Sequence, residues 1–124
     1  MEMKIHDYRK LVVWQKSIDL VVKIYRIVKE LPEEEKYALS DQLRRASISI
    51  PSNIAEGYGR IYNKELLHFL TISRGSLYEV ETQLIIGKEL GFFTDSKIEP
   101  ALLLITEISK MLATLIKKLK NDKS

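Results

Sequence analysis

The 124-residue sequence contains no cysteine, which excludes disulfide bonds and thiolate metal sites. Its start lacks the apolar core of a signal peptide. The longest uninterrupted apolar run, residues 101–105, is far too short to span a membrane. We therefore expect a cytoplasmic protein with no membrane partner.

Glycine and proline are also scarce, with five and three copies, so long segments have no strong helix breaker. In these segments apolar residues recur every three or four positions, which is typical of amphipathic helices. The spacing predicts helices at about residues 7–31, 40–60, 64–90 and 95–119. Four such helices with short connections predict a single all-α domain, residues 1–124, folded as an up-down-up-down four-helix bundle.

Side chains that can accept backbone hydrogen bonds mark the expected helix starts. The candidate N-caps are Asp7, Ser40 or Asp41, Asn63, and Thr94 or Asp95. Inside the second helix, Pro51 removes one backbone hydrogen bond and predicts a kink. Gly75 lies in the middle of the third helix, where glycine is costly, so we expect a packing reason for it.

The first and fourth helices carry more apolar surface than one bundle core requires. Two apolar stripes on the first helix together span roughly 200°, compared with about 100° for an ordinary surface helix. This surplus predicts a homo-oligomer, although a helix set deep between two neighbours of its own chain is an alternative. Trp14 is expected to be largely buried near Ile50 and Ile54.

Polar residues on the second and third helices predict a structural network. Antiparallel pairing about residue 62 brings Arg45 level with Glu79, and Glu56 level with residue 68. Buried or half-buried charges must be paired and hydrogen-bonded, so such residues would fix the helix register. The predicted network contains Arg45, Asn53, Glu56, Arg74 and Glu79.

Several stretches resemble one known family. They are the central Gln-Leu-Arg-Arg-Ala and Ser-Ile-Pro-Ser-Asn-Ile-Ala-Glu-Gly (residues 42–57), Val13-Trp14, Leu31-Pro32, and Ser-Arg-Gly-Ser-Leu-Tyr-Glu (residues 73–79). The chain resembles the four-helix bundle proteins encoded within intervening sequences of 23S ribosomal RNA genes. The accessory protein of diversity-generating retroelements is similar to the same family. The resemblance implies a homo-oligomer, typically a pentameric barrel around a central pore.

Motifs for enzymatic chemistry are weak. Glu65 and His68 have the Glu-x-x-His spacing of di-iron bundles, but those sites need two copies, and the second histidine, His6, lies outside any core pattern. No nucleophile elbow and no phosphate-binding glycine loop occurs. We therefore predict a protein that is not an enzyme and holds no metal or other cofactor.

The net charge is +3, and the excess of basic residues lies towards the two ends of the sequence. The candidate phosphate contacts are Arg9, Lys10, Lys117, Lys118 and Lys120 near the termini, and Arg44, Arg60 and Lys64 as a second group on helices 2 and 3. In a ring each group would repeat once per subunit, so weak contacts would add up. No aromatic platform for bases is evident from the sequence, so binding should tolerate many sequences.

The resulting hypothesis is a non-enzymatic, homo-oligomeric bundle that binds RNA or DNA, with RNA or an RNA–protein complex preferred. The alternative is a protein-interaction adaptor that docks a reverse transcriptase or a ribosomal component and has no nucleic-acid binding of its own. A small bundle enzyme or metal protein is the least favoured hypothesis.

Overall fold

The computed structural model describes residues 7–122. Four helices make up most of this range: α1 (Val12–Val28), α2 (Leu39–Tyr58), α3 (Asn63–Glu89) and α4 (Asp95–Asn121). Short 3-10 turns lie at Tyr8–Lys10 and Glu33–Glu35, and the described range contains no strand. The predicted all-α class and the four predicted helices are confirmed.

Helix α1 is shorter than its apolar pattern predicted. Asp7 accepts a hydrogen bond from the backbone N–H of Arg9 at 3.0 Å, so it caps the first 3-10 turn and not α1. Leu11 is extended (φ −74°, ψ 128°) and separates that turn from the helix. At the other end the helix stops after Val28, with Lys29 as its C-cap, and Pro32 follows three residues later.

Helix α2 begins differently from the prediction. Its N-cap residue, Ala38, makes no side-chain capping bond, and the predicted caps Ser40 and Asp41 lie inside the helix. The Glu35 carboxylate instead accepts a hydrogen bond from the Leu39 N–H at 3.3 Å. A side chain from the preceding 3-10 turn thus satisfies one of the free N–H groups that every helix start exposes.

The starts of α3 and α4 illustrate one wrong and one correct prediction. Asn63 is the first residue of α3 and not its cap, since Tyr62 occupies the N-cap position. The Thr94 side chain caps α4 as predicted and accepts from the Lys97 N–H at 3.2 Å. Gly91 has a positive φ of 84°, which lets the chain turn sharply between the two helices.

Contacts between side chains show that neighbouring helices are antiparallel. In each pair of helices, the later residues of one helix contact the earlier residues of the other. The pairs that lie side by side are Ser49–Ser76 and Gly57–Leu66 for α2 and α3, Tyr25–Arg44 and Trp14–Ala55 for α1 and α2, Lys88–Asp95 and Tyr78–Ser109 for α3 and α4, and Lys16–Glu107 and Glu30–Lys97 for α1 and α4. The helices therefore run up, down, up and down, and α2 and α3 pack together most extensively.

All four helices contribute large aliphatic side chains to one core. Among the fully buried ones are Leu20, Ile24, Leu43, Ile50, Ile54, Leu66, Leu70, Leu77, Leu84, Ile98, Ile105, Ile108 and Leu112. Part of the predicted apolar surplus stays outside this core: Val12 is 53% exposed on α1, and Leu103 is 60% exposed on α4. Within residues 7–122, no helix is long and apolar enough to cross a membrane.

Candidate nucleic-acid interface

Three separate stretches of sequence meet at one end of the bundle. They are residues 7–11 before α1, residues 56–66 around the α2–α3 connection, and residues 114–122 at the end of α4. Together they carry seven basic and four acidic residues, so their net charge is +3, and we call this region the basic end. The opposite region, residues 28–41 and 86–99, carries four basic and eight acidic residues, and we call it the acidic end.

The fold brings together most of the basic residues singled out in the sequence. Those in the basic end are Arg9, Lys10, Arg60, Lys64, Lys117, Lys118 and Lys120. The sequence-based grouping of Arg60 and Lys64 with Arg44 needs correction, because Arg44 lies towards the other end of α2. At 1.5 Å per residue, Arg44 is about 21 Å along the helix axis from Tyr58, the last residue of α2, beyond which Arg60 lies.

The Arg9 side chain is held beside Asp7. Its Nε lies 2.9 Å from Oδ1 of Asp7, and its backbone carbonyl accepts a hydrogen bond from the Gln15 amide at 2.9 Å. The hydrogen bond from Arg9 lowers the pKa of the Asp7 carboxyl, and Asp7 in turn raises the pKa of the Arg9 guanidinium. Arg9 is exposed, so this pair is a weak surface contact that a phosphate can replace.

Arg60 makes two contacts at the start of the α2–α3 connection. Its guanidinium pairs with the Glu56 carboxylate at 2.8 Å and lies 4.9 Å from the centre of the Phe69 ring. The stacking fixes the side chain against the bundle, since a cation over an aromatic face is attracted by the ring quadrupole. Arg60 nevertheless keeps an exposed edge, because its side chain is 42% accessible.

The lysines of the basic end are exposed and available. Lys10, Lys64, Lys117, Lys118 and Lys120 form no ion pair with any residue between 7 and 122. Three of them lie within the last turn and a half of α4, where the C-terminal end of the helix dipole favours cations. Their charge is therefore not neutralised by the carboxylates of the described chain.

Arg44 has a different setting, in the first half of α2 towards the acidic end. It pairs with Asp41 at 2.7 Å, one helical turn earlier, and lies 5.9 Å from the centre of the Tyr25 ring on α1. The side chain thus bridges α2 to α1.

The five residues of the predicted polar network do not bond to one another within the chain. Glu56 pairs with Arg60, and Arg74 donates from Nε to the Tyr78 hydroxyl at 3.2 Å. Arg45 and Glu79 are exposed, and no hydrogen bond or ion pair joins them in the described range. Being level along the bundle does not make two side chains face each other. A network between copies of the chain stays a prediction.

Serines make the polar contacts that the sequence reasoning missed. Asn53 donates to the Ser49 backbone carbonyl at 2.8 Å and lies 2.9 Å from its hydroxyl, which is 2.8 Å from the Ser76 hydroxyl on α3. The buried Ser73 hydroxyl donates to the Ile50 carbonyl, just before Pro51. A signal was present in the sequence, because Ser73 recurs in step with the apolar residues Leu66, Leu70 and Leu77 and is buried with them.

The residues considered for a metal site are not clustered. No group of three or more histidine, aspartate or glutamate side chains between residues 7 and 122 could hold a metal ion. His68 is exposed and packs edge-on against the Phe69 ring at 5.4 Å. His6 lies outside the described residues.

Trp14 lies at the predicted level but is not largely buried. It is half-buried at the edge of the core and faces Pro51, Ser52 and Ala55 across an open groove between α1 and α2. Its ring meets that of Tyr8 edge to face, with centroids 5.3 Å apart. Because Trp14 is part of an open surface, it can contact a ligand.

Comparisons with known proteins agree with this architecture. Residues 9–114 match the family model described as 23S rRNA-intervening sequence protein. A crystal structure from Bacteroides thetaiotaomicron, described as a protein with unknown function from the S23 ribosomal protein family, is similar with a TM-score of 0.79 and 29% sequence identity. The similarity covers 86% of this chain and 99% of that chain. Among curated proteins no match is found.

The family match spans all of α1, α2 and α3 and most of α4, so it covers the complete helical arrangement described above. It also includes the central residues 42–57, from which the resemblance was first inferred. This chain belongs to the 23S rRNA-intervening sequence protein family.

Proposed function

We propose that this protein is a non-enzymatic, homo-oligomeric bundle that binds nucleic acid, RNA in particular, without strong sequence preference. The observation that carries the proposal is the meeting of seven basic candidates at one end, five of them lysines with no ion pair in the described chain. Lysines contact phosphates and not base edges, so affinity should depend on their number and only weakly on sequence.

Oligomer formation would strengthen such binding. The exposed apolar residues on the outer faces of α1, α3 and α4 support a further contact between copies, and the resemblance implies a pentamer. In a closed ring each basic end would occur once per subunit, and weak phosphate contacts would act together. Light scattering at micromolar concentration tests this part, and a monomer would contradict it.

The proposal includes no cofactor and a cytoplasmic location. A role in the context of ribosomal RNA fits the family to which the chain belongs.

Fluorescence anisotropy with labelled RNA and DNA tests the nucleic-acid binding. The logarithm of the association constant should fall linearly with the logarithm of salt concentration. Reversing Lys117, Lys118 and Lys120 together to glutamate should weaken binding to all sequences by about tenfold or more and flatten the salt slope.

The matched control reverses three exposed lysines outside the basic end, namely Lys29, Lys36 and Lys110. It changes the net charge by the same amount, so an equal loss in both variants would show that total charge and not the basic end determines affinity. Absence of binding by the unmodified oligomer at ~50 mM salt, where electrostatic binding is strong, would contradict the proposal.

The adaptor hypothesis is the second candidate, and one observation favours it. Ile86 and Leu90 lie one turn apart on α3 and are 44% and 60% exposed, next to Ile85 at 45%. An apolar strip of this kind could dock a reverse transcriptase or a ribosomal component. Two results together would support the adaptor hypothesis. The unmodified protein would bind no nucleic acid, and the Ile86→Glu variant would lose binding to the protein partner.

A further inference from the structure

A continuous groove runs between α1 and α2 towards the basic end. It consists of two adjoining cavities of about 320 Å³ and 440 Å³, which share Tyr8, Ser52 and Ala55 in their walls. These volumes lie at the small end of the range for ligand sites in proteins. The groove is a feature of the tertiary structure, since its walls come from two helices and from residues up to 52 positions apart, Tyr8 and Arg60.

The floor of the groove is aromatic and apolar. Trp14 and Tyr8 meet edge to face, and Ile18, Val21 and Pro51 extend the apolar surface towards the middle of the bundle. Both aromatic rings are half-buried, so each presents part of its surface to solvent. Bases of every type stack on aromatic side chains, because every base has a π-face.

One arginine lines the groove, and a second lies farther along α2. Arg60 lines the cavity nearer the basic end, together with Glu56 and Gly59. Arg44 lies towards the start of α2 against Tyr25, on the side of α2 that faces α1. Arg9 and the exposed Lys10 follow Tyr8 directly in sequence at the mouth of the groove.

We infer that this groove binds single-stranded nucleic acid, with unpaired bases against Trp14 and Tyr8 and the phosphates towards Arg60 and Arg9. The inference rests on the proposed function and specifies its ligand as single-stranded. A cationic groove with aromatic side chains in its floor is the usual arrangement for sequence-tolerant binding of single strands. Duplexes keep their bases stacked inside, so they can contact the basic end but not the aromatic floor.

Charge favours a nucleic acid over an apolar protein helix as the occupant. The groove opens onto the end of the bundle that has a net charge of +3, and its polar wall includes Ser52 and Arg60. The carboxylates at this end of the groove, Asp7 and Glu56, are paired with Arg9 and Arg60. Surface ion pairs of this kind have small net stability, so phosphates can take over these two arginines.

Trp14 is the single tryptophan of the chain, so its fluorescence reports on the groove alone. We expect a single-stranded RNA of about ten nucleotides, added to the full-length oligomer, to quench this fluorescence. The anisotropy of the labelled RNA measures binding in the same titration. A duplex of the same length should bind through the basic end with little quenching. Anisotropy therefore tests the proposed function, and quenching tests the groove.

Variants separate stacking from electrostatics. Tyr8→Ala should weaken single-strand binding by about fivefold to tenfold and leave duplex binding unchanged, since base stacking on one aromatic ring contributes of that order. Tyr8→Phe keeps the ring and should retain the affinity. The matched control is Tyr62→Ala, which removes a 68% exposed tyrosine from the same end but outside the groove.

Each outcome has a definite meaning. Quenching by the single strand, together with a loss in Tyr8→Ala that Tyr62→Ala does not share, supports the groove as the binding site. Equal binding of single strands and duplexes without quenching overturns the groove inference and leaves the proposed function intact. No binding of either nucleic acid overturns both, and quenching by an apolar helical peptide alone would assign the groove to a protein partner.

Discussion

The two ends of the bundle both consist of helix termini and their connections. They differ in how many of their basic side chains are left without a carboxylate partner. At the acidic end, Lys88 pairs with Asp95 at 2.9 Å and Lys97 pairs with Glu30. At the basic end, Arg9 and Arg60 are paired, but five lysines find no carboxylate partner within residues 7–122, compared with two, Lys29 and Lys36, at the acidic end. Cations that are neutralised within the chain hold helices together, whereas cations left free can neutralise the phosphates of a partner.

Packing also differs between the ends. A Cβ added at Gly87, near the acidic end, would lie only 2.4 Å from the Phe93 ring. At Gly57, near the basic end, the nearest atom would be Leu66 Cδ1 at 2.9 Å. A side chain at position 87 would thus overlap a rigid aromatic ring, whereas one at position 57 would overlap less, and with the end of an aliphatic side chain.

Gly87→Ala should have the largest effect on stability. Because Phe93 is buried and cannot shift without opening the end of the bundle, we expect a loss of about 2–3 kcal/mol, towards the upper part of the range for overpacked cores. Urea unfolding measures it. In a Phe93→Leu background the loss should be at most half as large, and an unchanged loss would show that the ring is not the cause.

Reversing the net charge of the acidic end should give that end an affinity for nucleic acid. Changing Glu33, Glu34 and Glu89 to lysine turns the net charge of the acidic end from −4 to +2. If free surface cations determine affinity, RNA binding should strengthen by about tenfold at low salt, with a steeper salt slope. Unchanged affinity would mean that the geometry of the basic end, and not its charge alone, selects the nucleic acid.

Gly57→Ala should be milder than the change at Gly87. We expect a loss of about 1 kcal/mol, because Leu66 can change rotamer while the Phe69 Cβ, 3.0 Å from the added atom, must shift slightly. Thermal unfolding of both alanine variants side by side checks the order. A larger loss for Gly57→Ala would contradict the proposed difference between overlap with a rigid ring and overlap with an aliphatic side chain.

Gly75→Ala should have the smallest effect and the opposite sign. A Cβ at this position meets no atom within 4 Å, so alanine should stabilise the isolated chain by about 0.5–1 kcal/mol through its helix propensity. A gain in chain stability with a loss of oligomer would indicate that another copy packs closely here. A loss of stability in a monomeric sample would contradict the expected gain.

The sequence was sufficient for features that depend on periodicity. The four helices and their order followed from apolar spacing, because burial requires that spacing in any helix of a bundle. The positions of α2 residues opposite those of α3 followed from the short turn near residue 62. Thr94 was also predicted correctly as a cap, because the capping hydrogen bond depends only on residues within one helical turn. Boundaries were less accurate where the apolar pattern continues past the helix, as before Val12 and after Val28.

Features that depend on rotation about a helix axis were not predictable. Arg45 and Glu79 were predicted to lie at the same position along the bundle axis, but both side chains are exposed. Position along the axis does not determine the direction in which a side chain points. Trp14 belongs to an apolar stripe that the chain covers only in part, so the stripe alone could not indicate an open groove. The single basic end required the topology, which brings residues distant in sequence to one place.

The extensive packing of α2 against α3 has a consequence for how the chain folds. These two helices are joined by only four residues, 59–62, and share the most contact of any pair. Closing so short a loop costs little entropy, so this helical hairpin should form first and serve as the folding nucleus. Substitutions of buried residues between α2 and α3 should then slow refolding, whereas those that loosen α1 from α4 should chiefly accelerate unfolding.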